Sequence, residues 1–112
     1  MSHVRVSYPA LSKMEIIEKL KEARIHLRKE LPVLRMILYG SYALDRHTAG
    51  SDIDLLVVYD GKQRKDAYKL VMTSVDLPRL EPKVYTQQEF NTRVARSKKF
   101  SEILEKEGIV IS

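Results

Sequence analysis

Two aspartates at the start of an apolar run are the residues best placed to do chemistry. Asp52 and Asp54 are separated by one residue and precede the apolar run 55–58. Because side chains of a strand alternate between its faces, both carboxylates would point to the same side. Two carboxylates on one face repel each other unless a cation lies between them or one is protonated. A magnesium ion takes oxygen ligands and keeps waters that a substrate phosphate can replace. The pair therefore predicts a magnesium site that also accepts phosphate.

Gly40 and Ser41, which close the preceding apolar run, could form the complementary phosphate site. Glycine lets a phosphate approach the backbone, and the serine adds a hydroxyl and free amides if a helix begins there. An ordinary turn with Ser41 as a helix N-cap explains the same residues, and the two interpretations are compatible. A phosphate site that faces paired carboxylates is typical of phosphoryl or nucleotidyl transfer.

Residues 39–59, YGSYALDRHTAGSDIDLLVVY, resemble the signature of the minimal nucleotidyltransferases of the DNA polymerase beta superfamily. The family pattern is roughly GSxARG, a short loop, and SDIDLLV. GSYA matches its beginning and SDIDLLVV its end, at the expected distance. Leu44 and Asp45 stand where the family usually has Arg-Gly, so this turn lacks one basic residue and one glycine. Arg46 is a candidate to replace the missing basic residue.

The resemblance also implies a third carboxylate. A site with two metal ions commonly needs one on a neighbouring strand. In the family this acid lies a few residues before a Tyr-Thr dipeptide and a helix that opens with Glu-Phe. Tyr85-Thr86 and Glu89-Phe90 match that neighbourhood and indicate Glu81, a glutamate where aspartate is more usual. The alternatives are a surface role for Glu81 and Asp76 as the third acid.

The apolar periodicity, capping boxes and prolines predict the secondary structure. The expected elements are a helix over 12–31, a strand over 33–39, a short helix over 41–46, a strand over 53–59, a helix over 63–76, a strand over 80–85 and helical sequence from 86 to 108. Residues 109–111 are either a last edge strand or a partner-binding strip, and residues 1–11 an arm. This α-β-α-β-α-β-α order predicts an α+β (mixed α/β) fold: a small mixed β-sheet of three to four strands covered by helices. The resemblance implies the nucleotidyltransferase fold, with a core at about 12–107.

Composition limits the class of protein. A chain of 112 residues is expected to form a single domain, 1–112, and the absence of cysteine excludes disulfides and thiolate metal sites. No apolar run approaches the roughly 20 residues that a membrane span needs, and the start lacks the apolar core of a signal peptide, so we expect a cytoplasmic protein. The excess of 20 Lys and Arg over 15 Asp and Glu favours anionic partners, although ordinary surface charge explains it equally.

Basic residues cluster twice, at Lys62, Arg64 and Lys65 and again at Arg96, Lys98 and Lys99. The first cluster could reach a phosphate or an acidic partner. The second could bind nucleic acid, although base stacking would need interleaved aromatic residues, and only Phe100 is adjacent. Both clusters are interpreted first as solvated surfaces.

Three functions remain open. The first is an enzyme that transfers a nucleoside monophosphate from a nucleoside triphosphate, with ATP as the expected donor, to a hydroxyl. Asp52, Asp54 and Glu81 would hold two magnesium ions, and Gly40 and Ser41 would bind the terminal phosphates. The resemblance implies a small helical partner of the HEPN type and the role of antitoxin in a toxin–antitoxin pair. The second is a weakly catalytic module that neutralises such a partner by occlusion, and the third a nucleic-acid-directed transferase or binder. Homo-oligomers are compatible with each.

Overall fold

Two apolar runs form the centre of a four-stranded sheet, as their composition predicts. The computed structural model describes residues 11–112, so the predicted N-terminal arm lies, apart from Leu11, outside the described residues. The elements in chain order are α1 (Lys13–Leu27), β1 (Val33–Tyr39), β2 (Ile53–Tyr59), α2 (Ala67–Ser74), β3 (Leu80–Thr86), α3 (Gln87–Arg96), α4 (Lys98–Glu107) and β4 (Ile109–Val110). Among the described helices, none is long and apolar enough to cross a membrane.

The sheet is mixed, with strand order β3-β2-β1-β4. β2 is antiparallel to β1 and parallel to β3, and β4 is antiparallel to β1. The register places Asp54, the second residue of β2, opposite Tyr39 on one side and beside Glu81 on the other. The sheet therefore brings together residues that are far apart in the sequence.

Helices cover both faces of the sheet. Leu55 and Val57 of β2 face a core that contains Leu20 of α1 and Val71 of α2. Leu56 and Val58 face a second core under α3 and α4, with Phe90, Phe100 and Leu104. Because β2 is covered on both faces, its sequence is continuously apolar rather than alternating. This helix–sheet–helix layering confirms the predicted α+β fold.

The predicted short helix over 41–46 is wrong, because this segment is a series of turns. The amide of Arg46 donates to the Ser41 carbonyl at 2.8 Å, and Asp45 has a φ of +57°. A left-handed residue ends a helix before it can propagate. The order α-β-α-β-α-β-α is corrected accordingly, since no helix separates β1 from β2 in the described chain.

The helix α2 begins four residues later than predicted because Arg64 holds the preceding segment in a different conformation. Its guanidinium donates to both carboxylate oxygens of Asp66, at 3.0 and 2.9 Å, and to the Glu30 carbonyl at 2.7 Å. The Asp66 hydrogen bonds raise the pKa of Arg64, and Arg64 lowers the pKa of Asp66. Arg64 is therefore a structural residue rather than a phosphate ligand.

The helical sequence between 86 and 108 divides into two helices at Ser97. Its backbone is extended (φ −133°, ψ 95°), and its hydroxyl accepts a hydrogen bond from the Phe100 amide at 3.2 Å. The break lets Phe90 of α3 and Phe100 of α4 both reach the same core.

Residues 109–111 were predicted to form either an edge strand or a partner-binding strip, and the structure shows the edge strand β4. The Ile111 amide donates to the Met36 carbonyl at 2.8 Å, and the Ile111 side chain is buried. Only Val110 presents a largely exposed apolar side chain in this segment, so Ile111 is not available to a partner.

We expect Ser97→Ala to lower the free energy of unfolding by about 1 kcal/mol, because the cap of α4 is lost. Chemical denaturation measures the difference. Ser97→Asp should retain most of the stability, because an aspartate also caps a helix. Ser101→Ala, inside α4, is the matched control and should stay within about 0.5 kcal/mol of the wild type. Equal losses for Ser97→Ala and Ser101→Ala would contradict the assignment of Ser97 as a cap.

Candidate functional site

The glycine of the turn and an aspartate of β2 are in direct contact. Gly40 follows β1 with a φ of +78°, a conformation that side chains other than glycine rarely adopt. A Cβ atom built on Gly40 would overlap a carboxylate oxygen of Asp54 and lie 3.1 Å from its Cγ. Both the backbone and the neighbouring carboxylate therefore require glycine here. The structure brings together these two parts of the predicted site.

The turn that follows Gly40 leaves several amides available to a ligand. It is closed by hydrogen bonds from Leu44 to the Gly40 carbonyl, at 3.2 Å, and from Arg46 to the Ser41 carbonyl. Within residues 11–112, the amides of Ser41, Tyr42 and Ala43 donate to no backbone carbonyl. Successive free amides form a concave site that binds anions. The turn, although not a helix, therefore presents free amides of the kind that bind anions, and its role as the phosphate site stays a prediction.

Asp45 has the left-handed conformation at the position where the resembling family has glycine. Its φ is +57°, which aspartate tolerates better than most residues. Its carboxylate lies 3.3 Å from the Lys13 Nζ, so the extra negative charge is partly compensated. Arg46, the predicted replacement for the missing basic residue, is exposed at the end of this turn. His47 lies beside it and stacks on the buried ring of Tyr42, with centroids 4.0 Å apart.

Asp54 and Glu81 lie on the same face of the sheet. They are direct partners in the parallel pairing of β2 and β3, where neighbouring strands are about 4.8 Å apart. The pKa of the Asp54 carboxyl is raised by burial and by the charges of Asp52 and Glu81, and Lys83 opposes this rise. The three predicted carboxylates therefore interact electrostatically.

Asp52 lies just outside β2, and its side chain is about half exposed. Its carboxylate is 3.8 Å from an Arg79 guanidinium nitrogen. In the described part of the chain, no three acidic or histidine side chains are gathered closely enough to hold a metal ion. The donor set still fits magnesium, because the carboxylates of Asp52, Asp54 and Glu81 share one edge of the sheet and repel one another there. Their role as metal ligands stays a prediction.

Three further residues belong to the site. Tyr39 lies opposite Asp54, and burial together with the Asp54 charge raises its pKa to about 12, so it stays protonated. Lys83 follows Glu81 by two residues, so strand alternation could have identified it. Arg79 carries a φ of +58° before β3, and no sequence pattern predicts that conformation.

The alternative third acid, Asp76, lies elsewhere. It lines a small cavity between α1 and the end of α2, with Lys19 and His26. This cavity is on the opposite face of the sheet from Asp54, which shares its face with the α3–α4 core. Glu81 is therefore the better placed of the two candidates.

Comparison with known proteins identifies the family. The profile of the family described as "Nucleotidyltransferase domain" matches residues 14–111. A candidate nucleotidyltransferase from Sulfolobus solfataricus superposes with a TM-score of 0.55 at 20% identity, over 88% of this chain and 80% of that one. A mutant of the toxin–antitoxin complex MntA–HpeT superposes with a TM-score of 0.53 at 14% identity, over 82% of this chain and 72% of that one. No curated protein sequence matches significantly. At these identities the structural matches establish the fold.

We expect Gly40→Ala to destabilise the protein by more than Gly61→Ala. Both glycines have positive φ, +78° and +93°, so each substitution carries a backbone cost of about 1–2 kcal/mol. Only at Gly40 does the new methyl group also collide with Asp54, since nothing lies within 4 Å of a Cβ at Gly61. Chemical denaturation gives both values, and adding Asp54→Ala to Gly40→Ala should recover the excess. Equal losses at the two glycines would contradict the contact.

We expect Asp54→Asn to raise the unfolding temperature of the metal-free protein at neutral pH. Because the folded-state pKa of Asp54 lies above its ordinary value of 3.8, the folded protein binds this proton more tightly than the unfolded chain. Stability is therefore lost as the pH rises from 3.8 through the raised pKa. Asparagine does not titrate and avoids this loss.

Calorimetry at neutral pH and below pH 3.8 measures this effect, and the advantage of Asp54→Asn should shrink at the acid pH. Asp76→Asn, an exposed aspartate outside the site, is the control and should leave stability unchanged to within about 0.5 kcal/mol. An unfolding temperature of Asp54→Asn at or below that of the wild type at neutral pH would contradict a raised pKa of the Asp54 carboxyl.

Proposed function

We propose that this chain, which belongs to the nucleotidyltransferase domain family, transfers a nucleoside monophosphate from a nucleoside triphosphate to a hydroxyl of a partner protein. ATP is the expected donor. The observation that carries the proposal is the contact between Gly40 and the Asp54 carboxylate. It supports the proposal because the turn of the proposed phosphate site lies directly against a carboxylate of the proposed magnesium site.

The residues of the turn would hold the donor. The free amides at Ser41, Tyr42 and Ala43, with the Ser41 hydroxyl, would bind the β- and γ-phosphates. Lys83, which faces the same edge as Asp54, supplies a positive charge that the turn itself lacks at Leu44.

Asp52, Asp54 and Glu81 are the proposed ligands of two magnesium ions, with Asp54 between the other two. Magnesium, when bound, neutralises phosphate charge and orients the α-phosphate for in-line attack. Asp52 would give up its exposed ion pair with Arg79, whose nearest atoms are 3.8 Å apart, when it binds the metal. Arg79 would then be released to face the incoming phosphates.

The transfer step forms one bond and breaks one. The acceptor oxygen bonds to the α-phosphorus, the bond from that phosphorus to the bridging oxygen breaks, and pyrophosphate leaves with the electron pair. The acceptor proton passes to the Glu81 carboxylate, which is exposed beside Asp54. Tyr39 would stay protonated throughout, because its pKa is about 12.

The acceptor is proposed to be a protein. Residues 11–112 form one sheet with helices on both faces, and this described part of the chain contains no further unit that could enclose an acceptor. One structural neighbour is a toxin–antitoxin complex. We therefore propose a small helical partner of the HEPN type, for which this chain would act as the antitoxin.

A second candidate is a binding module with little catalysis. The pairing of Asp52 with Arg79 favours it, because that ion pair holds one carboxylate away from a shared ion. Such a module would bind its partner equally well with or without the three carboxylates.

Calorimetric titration of ATP, with and without magnesium, tests the proposed site. We expect magnesium-dependent binding to the wild type and a loss of about 100-fold or more in the Asp52→Asn/Asp54→Asn variant. Asp76→Asn is the matched control and should bind ATP as the wild type does. Binding that is independent of magnesium, or unchanged in the double variant, would refute the metal site.

Transfer of label from α-labelled ATP to the co-purified partner tests the chemistry. Glu81→Gln should slow transfer on the order of 10²–10³-fold, and Glu81→Asp should slow it less, because a carboxylate remains. Undiminished transfer in Glu81→Gln would remove Glu81 from the mechanism. Tight partner binding with no transfer by the wild type would favour the binding module.

A further inference from the structure

A groove beside α3 gathers three cations that the proposed mechanism does not use. It has a volume of about 710 Å³, within the range of about 300–1,000 Å³ typical of ligand sites. Lys62, Arg93 and Arg96 line it, together with Tyr85 and Glu89. The sequence alone separates these cations, since Lys62 follows β2 whereas both arginines lie on α3.

The three cations are available to a ligand. Within the described residues none of Lys62, Arg93 and Arg96 forms a salt bridge. Glu89 is the one acid among the lining residues, and its carboxylate already accepts the Thr86 amide at 2.9 Å. The lining therefore carries three positive charges against the one negative charge of Glu89.

A chain of contacts connects this groove with the carboxylates. The Arg93 guanidinium lies 4.9 Å from the centre of the Phe100 ring, and that ring packs edge-on against Tyr39 at 6.0 Å. Tyr39 in turn is the strand partner of Asp54. The groove and the proposed active site thus flank the same core, which contains Phe100 and Tyr39.

The distance between the two features is set by β3. Tyr85, in the groove, lies four residues beyond Glu81 on the same face of this strand, which corresponds to roughly 13 Å. An extended ligand segment that contacts Tyr85 would therefore need about four residues to reach Glu81.

We propose that this groove binds an acidic segment of the partner protein, close to the hydroxyl that accepts the nucleotide. The inference rests on the proposed function and names the chemistry of the partner. Arginine pairs with carboxylates through two parallel hydrogen bonds, so Arg93 and Arg96 suit aspartate and glutamate side chains. Single-stranded nucleic acid would need successive aromatic residues for stacking, and among the lining residues only Tyr85 is aromatic.

The probe is a fluorescent hexaglutamate peptide, and the readout is its anisotropy with the full chain at low and at physiological ionic strength. The test variant is Lys62→Gln/Arg96→Gln, which removes two groove cations and spares Arg93, whose guanidinium lies over the Phe100 ring. The matched control is Lys98→Gln/Lys99→Gln, which removes the same charge from exposed positions of α4 outside the groove.

We expect the peptide to bind the wild type, to bind the test variant about tenfold more weakly, and to bind the control within about twofold of the wild type. Equal weakening by both variants would mean diffuse surface charge and would overturn the groove. No binding at low ionic strength would overturn it as well. Tighter binding of oligothymidylate, lost in the same test variant, would assign the groove to nucleic acid instead.

The ATP titration keeps this inference separate from the proposed function. The test variant should bind ATP and magnesium as the wild type does, which also shows that it is folded. If ATP binds and the peptide does not, only the groove assignment fails. If the peptide binds and ATP does not, the proposed transferase fails while the acidic-segment site stands.

Discussion

The contact between Gly40 and the Asp54 carboxylate depends on the register of the central strands. Tyr39 pairs with Asp54 because the alternating side chains of β1 and β2 fill two separate cores. A slip of one residue would move every side chain of β2 to the opposite face and turn Asp54 toward α1 and α2. The burial of residues such as Leu55 and Leu56 therefore determines where the carboxylate lies. Core packing and site geometry are consequences of the same register.

Electrostatic repulsion is the cost of this arrangement. Asp54 is half-buried next to two other acids, and its raised pKa reflects both its burial and their charge. Arg79 and Lys83 relieve part of the repulsion in the free protein, since each lies near one of the carboxylates. Unlike core residues, these cations can change partners. A divalent ion could replace them beside the carboxylates, and they could then pair with a phosphate. The site is thus built to be less stable alone than with a charged ligand, as functional sites often are.

Local signals in the sequence were sufficient for most elements. The capping boxes at Ser12 and Thr86 are both present, and β1 and β2 have the predicted bounds, because these features depend on neighbouring residues. The break at Ser97 and the late start of α2 were missed. The break at Ser97 lets the rings of Phe90 and Phe100 reach one core. The late start of α2 follows from the hydrogen bond of Arg64 to the Glu30 carbonyl. Such contacts join distant parts of the chain, and periodicity does not report them.

The candidate site also has a part that the sequence predicts and a part that it does not. The motif with Asp52 and Asp54 could be identified from spacing and resemblance, and the β2–β3 register then places Glu81 beside Asp54. The basic groove could not be identified, because Lys62 meets the arginines of α3 only after the sheet has formed. Tyr85 of the groove and Glu81 of the carboxylate cluster are roughly 13 Å apart along β3. The two features therefore occupy different positions along the same face of this strand. Under the proposed function, this face of the sheet would bind a magnesium–nucleotide at one end and an acidic protein segment at the other.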